Sequence, residues 1–183
     1  MKSGLTIKVD KANAILKALK TIGNRDVLVG VPAENSPRED VPFGNAGIGY
    51  INEFGSPAQN IPPRPHLRPG IRSVEDKTTE QLKIAAEAVL EGKQDKAEKA
   101  LSKAGQIAVQ GVQRYMTTND FEPLADSTVY ARAYRKEGPR KGAKAELENR
   151  RAGGTPNNAN ARPLIDTGDY RRSITYVVRD KGD

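Results

Sequence analysis

Apolar side chains recur along this chain with different periods, separated by dense clusters of proline, glycine and charge. Over residues 10–20, Ala14, Ile15, Ala18 and Leu19 fall at helical spacing, which predicts a helix with Asp10 as its N-cap. Gly23 and Asn24 supply a stop, with Ile22 tucked beneath it. Residues 27–31 read Val-Leu-Val-Gly-Val between Asp26 and Pro32, a strand buried on at least one face. Residues 32–47 hold three prolines, two glycines and a charge cluster, and so predict an irregular flap. Residues 48–54 return to the body as a strand or a short helix, a run too short for periodicity to choose between the two.

Residues 56–70 form a proline-dense elbow. A residue before proline is pushed toward extended geometry, so Ile61-Pro62-Pro63-Arg64-Pro65 should be a stiff internal strut. Pro69 suits the first position of the next helix, whose stripe is Ile71, Val74, Leu82, Ala85, Ala86 and Val89, with a break at Gly92. A second helix shows Ala97, Ala100, Ala104, Ala108, Gly111 and Val112 on one face, small enough to lie close to a sheet. After Met116 a turn at Thr118-Asn119-Asp120 leads to Pro123–Thr128, which caps a short helix reaching Tyr134. Residues 135–162 are polar and basic with few apolar positions, and predict a mobile arm. Residues 173–178 alternate like a half-buried strand, and the last residues should fray.

Composition narrows the function classes. The 183 residues suit one domain, with the flap at 32–47 and the basic arm at 135–162 as its appendages. Only 36% of residues are hydrophobic and none is Trp, so the core is thin and neighbouring subunits are expected to add stability. The net charge of +7 favours polyanions or an acidic partner. Cysteine is absent, which excludes disulfides and thiolate metal sites. No apolar run spans a bilayer and the N-terminus lacks a signal-peptide core, so the expectation is a protein made in a cytoplasm, with no membrane partner.

Candidate chemistry is sparse. His66 is the sole histidine and sits among cations with no carboxylate to orient it, so it reads as a packing or surface residue. Asp166-Thr167-Gly168-Asp169 reads as a turn, since Asp and Thr bond nearby amides and Gly takes the tight backbone angle. No phosphate-cradling loop or dinucleotide fingerprint occurs, and neither an enzyme nor a cofactor is expected. In the basic arm, Arg135, Lys136, Arg140, Lys141, Lys144, Arg150 and Arg151 could neutralise phosphates without reading sequence, or dock a partner. Glu53-Phe54-Gly55 reads as a corner with Phe54 buried and Gly55 supplying a special backbone angle.

Taken in order, these segments resemble a family of tailed-bacteriophage neck and minor tail components. The match comprises a strand of the 27–31 type, a variable flap, and Glu53-Phe54-Gly55. The elbow follows as Pro62, Arg64, Pro65, Leu67, Arg68 and Pro69, then Pro123-Leu124 with Thr128, and finally Pro163-Leu164-Ile165-Asp166-Thr167-Gly168 with Ser173 and Ile174. His66 stands where the family usually has Phe.

The resemblance implies an α+β subunit, with a small antiparallel or mixed sheet packed on one or two long helices. It implies a structural virion protein, a head-tail joining or tail-completion component that forms a ring around the DNA channel, with a hexamer expected. Its partners would be further copies of itself, a head connector on the portal side, and a tail terminator or tail tube protein. Contact with genomic DNA in the lumen would be non-specific. It would reside in the virion neck or tail after assembly in the host cytoplasm. Glu53, Phe54, Arg64, Arg68, Asp166, Thr167 and Gly168 would fix the elbow and its docking faces. The alternatives are a basic, sequence-independent DNA-binding module for genome packaging and, within the structural class, a tail terminator.

Overall fold

The computed structural model describes residues 11–39, 42–136, 138 and 140–181. The predicted N-cap Asp10 and the fraying C-terminal residues Gly182 and Asp183 lie outside them. The fold is α+β. Strands β1 (Arg25–Gly30) and β2 (Thr175–Asp180) pair antiparallel, with Val27 opposite Val178 and Val29 opposite Tyr176. The 25-residue helix α5 (Gln94–Thr118) packs against both strands, and α4 (Glu75–Leu90) lies antiparallel along α5 after the turn at Gly92. Small residues on α5 permit this approach. A Cβ at position 105 would stand 2.3 Å from the Tyr176 ring, and one at 111 would stand 2.7 Å from the Gly70 carbonyl oxygen.

Helix α1 (Ala12–Gly23) has no buried residue, and it leaves Ile15, Leu16 and Leu19 about half exposed. The open choice at 48–54 resolves as a helix, α2 (Gly44–Phe54). Its first amides are held from outside: Asn45 N donates to the Ser36 carbonyl (2.7 Å) and Ala46 N to the Ser36 hydroxyl (3.0 Å). The helix therefore begins inside the predicted flap and shortens it. The single helix expected from Pro69 is two, α3 (Leu67–Arg72) and α4, interrupted at Ser73 and Val74. Pro69 sits inside the first turn of α3, where its missing N–H has no intrahelical partner to lose.

The expectation of a mobile arm at 135–162 is corrected by the structure. Residues 141–151 form α7 (Lys141–Arg151), which packs on α6 (Asp126–Ala133). Leu124, Val129, Ala133, Ala143, Leu147 and Ala161 make a small core of their own. Counting apolar residues misses it because the contact needs only Ala143 and Leu147, one helical turn apart, on an otherwise polar helix. A second, larger core gathers Val112, Met116, Leu164, Tyr170 and Ile174, with Val29, Val31 and Ile71 against it. Tyr170 belongs to the short helix α8 (Asp169–Ser173), which feeds β2.

Candidate functional site

The sequence segments singled out above meet at one place, where the corner after α2, the elbow and the stretch 163–173 converge. Gly55 adopts φ 78°, and a Cβ there would stand 2.8 Å from the Ile61 carbonyl oxygen and 2.9 Å from Pro63 N, so the corner admits only glycine. The chain then makes a tight loop closed by Ser56 and Ile61, and Arg64 N donates to the Asn52 carbonyl at 2.6 Å. The elbow is thus an internal strut.

Glu53 fixes where that strut becomes a helix. Its Oε2 accepts from His66 N (2.8 Å) and Leu67 N (2.9 Å), and its Oε1 accepts from Arg68 N (3.3 Å). These amides open α3 and lack intrahelical partners, so a carboxylate from another element caps the helix and meets the positive end of its dipole. The Arg64 side chain is buried; its Nε donates to the Glu122 carbonyl (2.8 Å) and Nη2 to the Pro123 carbonyl (3.0 Å), tying the elbow to the segment before α6.

His66 is completely buried, and the expectation that it lacks a nearby carboxylate is corrected. Glu53 Oε2 lies 3.4 Å from its Nδ1. The Arg64 carbonyl, 2.9 Å from Nδ1, can only accept, so Nδ1 carries the proton and Nε2 accepts from the Tyr170 hydroxyl at 2.5 Å. Burial, the largest influence, pushes the imidazole pKa down; the Arg64 carbonyl and Glu53 oppose it without reversing it. Above about pH 6.5 the ring is therefore neutral, and its contact with Glu53 is then not an ion pair. Burial, aided by Glu53, pushes the Tyr170 phenol up.

This arrangement predicts a pH effect. Because the folded pKa of His66 lies below the ordinary 6.5, the unfolded chain takes up a proton that the folded chain refuses. Stability should be full above about pH 6.5 and fall progressively below it. Thermal melts from about pH 7.5 to about pH 5 check this, and the fall in that range should be largely absent from His66→Gln.

Asp166 is the second node. Arg135 Nη2 lies 2.5 Å from its Oδ2, Arg140 Nε lies 3.1 Å from Oδ1, and Arg132 Nε lies 3.8 Å from Oδ2. Burial alone would raise the carboxyl pKa, but the Arg135 hydrogen bond and the charges of Arg132 and Arg135 outweigh it and hold the pKa below the usual range. Arg132 also donates to the carbonyls of Arg162, Pro163 and Ile165, so one side chain secures the whole approach to Asp166. Thr167 donates to the Asp169 carboxylate, and Gly168 takes φ 88°, which makes the predicted turn.

The predicted assembly residues divide accordingly. Glu53, Arg64, Asp166, Thr167 and Gly168 are used inside the subunit, whereas Arg68 is exposed. Phe54 is 60% exposed, which corrects its assignment to the core: α2 turns Glu53 inward and sends Phe54 out beside Tyr50, one turn earlier. Phe54→Ala should therefore change the unfolding free energy by less than about 1 kcal/mol, as chemical denaturation would read.

The basic set divides as well. Arg135 and Arg140 bind Asp166, and Arg150 bridges Glu146 and Asp126, while Lys136, Lys141, Lys144 and Arg151 face solvent. Sequence reasoning missed Tyr170, Arg132 and the Glu122 and Pro123 carbonyls, none of which carries a local signal. Among the described residues, no group of three or more His, Cys, Asp or Glu side chains is placed to hold a metal ion. No helix among them is long and apolar enough to cross a membrane. Comparison with family models, curated proteins and solved structures finds no match for this chain.

Proposed function

We propose that this chain is a structural virion subunit of a tailed phage, a head-tail joining or tail-completion component that assembles as a ring around the DNA channel. The observation that carries the reading is the use of the residues on which the resemblance rests. Glu53, Arg64 and Asp166 hold backbone amides, backbone carbonyls and arginines, and so fix the mutual angle of α2, α3 and the C-terminal segment. A subunit braced in this way still leaves large apolar side chains uncovered on α1, α2 and α6. Rigid framing together with uncovered apolar faces suits a protein that completes its burial in an assembly. A tail-terminator role draws on the same features.

A second reading, a sequence-independent DNA-binding module, draws on the exposed Lys136, Lys141, Lys144 and Arg151. Light scattering across concentration and salt, with and without short duplex DNA, separates the two. The structural reading predicts a defined assembly without DNA, or a monomer that closes into one as concentration rises. A persistent monomer that binds any duplex with a steep salt dependence would favour the second reading.

A further inference from the structure

Helices α2 and α3 diverge from the Gly55 corner and leave an open groove of about 630 Å³. Ala46, Gly49, Leu67 and Ile71 line it. Tyr50 and Phe54 stand on one wall, 66% and 60% exposed, with ring centroids 4.9 Å apart. Arg68 and Arg72 stand on the other, both exposed, with no carboxylate among the described residues within ion-pair distance. The acid that lines the groove, Glu53, is turned onto the α3 amides. Exposed aromatic rings beside arginines over an apolar floor have the composition of an interface anchor. Its occupant must bring an apolar side chain flanked by carboxylates, since a cationic face would be repelled by the two guanidiniums.

The chain's own surface discriminates among candidates. Helix α1 with its N-cap Lys11 carries Lys17 and Lys20 and no acid, and the exposed Tyr130–Tyr134 pair at the end of α6 is followed by Lys136. Both are cationic. Helix α4 with its C-cap is the opposite: Glu75, Asp76, Glu80, Glu87 and Glu91 outweigh Lys77 and Lys83 in a chain of net charge +7. At its end Leu90 is 49% exposed between Glu87, one turn earlier, and Glu91, whose own contact is with Lys93. We propose that the end of α4 from a second copy docks in this groove, with Leu90 against Tyr50 and Phe54, and Glu87 and Glu91 against Arg68 and Arg72. The contact joins two different patches, so it repeats around an assembly; it rests on the self-assembly reading above and names both of its faces. A nucleic acid fits the groove less well, because its floor is apolar and it offers phosphates only two cations.

The absence of cysteine makes the test specific, since Phe54→Cys and Leu90→Cys each introduce a single thiol at an exposed position. Mixed under mild oxidation, the two proteins should form the 54–90 disulfide dimer in excess over either homodimer. Arg68→Glu with Arg72→Glu should raise the concentration at which assembly begins at least about tenfold, and adding Glu87→Arg with Glu91→Arg should restore it. A mixed dimer no more abundant than the homodimers, or charge reversals without effect, would overturn the proposal. Duplex DNA binding lost in Tyr50→Ala with Phe54→Ala, without any 54–90 cross-link, would overturn it in favour of a nucleic acid. A closed ring lacking the cross-link would remove this contact and leave the neck reading standing. Cross-linked open chains would keep the contact and remove the ring.

Discussion

Glu53→Ala is expected to lower the unfolding free energy by about 3–4 kcal/mol, more than any exposed substitution in the chain. The carboxylate is 10% exposed and accepts from three consecutive amides at the start of α3. Charge-assisted hydrogen bonds contribute roughly 1.5–3 kcal/mol each, and the longer one to Arg68 N lies at the surface, where water can replace it. Two part-buried donors are therefore left without a partner, with the dipole of α3 unopposed. Glu53→Gln keeps an accepting oxygen and should fall between the variant and the parent. Urea unfolding checks this. A loss below about 1 kcal/mol for Ala would mean that the corner does not hold the elbow.

Asp166→Ala should cost about 2–3 kcal/mol. Three guanidiniums converge on this carboxylate, and removing it leaves their mutual repulsion without a counter-charge. Arg132 is the most buried of the three and keeps its three carbonyl partners, which limits the loss; Arg135 and Arg140 are more than a third exposed and regain water. The cost is therefore smaller than that of breaking a fully buried pair. Asp166→Asn restores hydrogen-bonding capacity without charge and should recover only part of the loss. Its pH signature has a definite sign: the folded pKa lies below 3.8, so the contribution of Asp166 is present above about pH 4 and is lost as pH falls through the folded value. A double-mutant cycle with Arg135→Ala measures the pair directly, and a coupling near zero would show that Asp166 acts through the turn alone.

Local pattern revealed the elements whose burial is one-sided and regular. The α5 stripe of Ala and Gly and the valine runs of β1 and β2 read correctly because each packs on one continuous surface. Pattern could not reveal partnerships between distant segments. His66 looked isolated because its phenol partner, Tyr170, lies 104 residues away. Arg132 looked like one more cation in a basic stretch, since nothing local marks an arginine that will meet three carbonyls from residues 162–165. Phe54 looked like core because it is large and precedes a constrained glycine. The helical phase of α2, fixed by the inward turn of Glu53, decides otherwise. In the basic arm, α7 needs few apolar contacts because a buried Glu146–Arg150 pair completes its inner face. The residues of the resemblance were legible as a set, and their work as braces became visible only with their partners.

We propose that this braced subunit completes itself in a closed ring. The most direct measurement is electron microscopy of the purified protein at the concentration where its mass in solution rises, with class averages of the particles. Closed rings of one copy number around an open channel are the expected result. Isolated subunits at every concentration, or open-ended filaments of variable length, would contradict it.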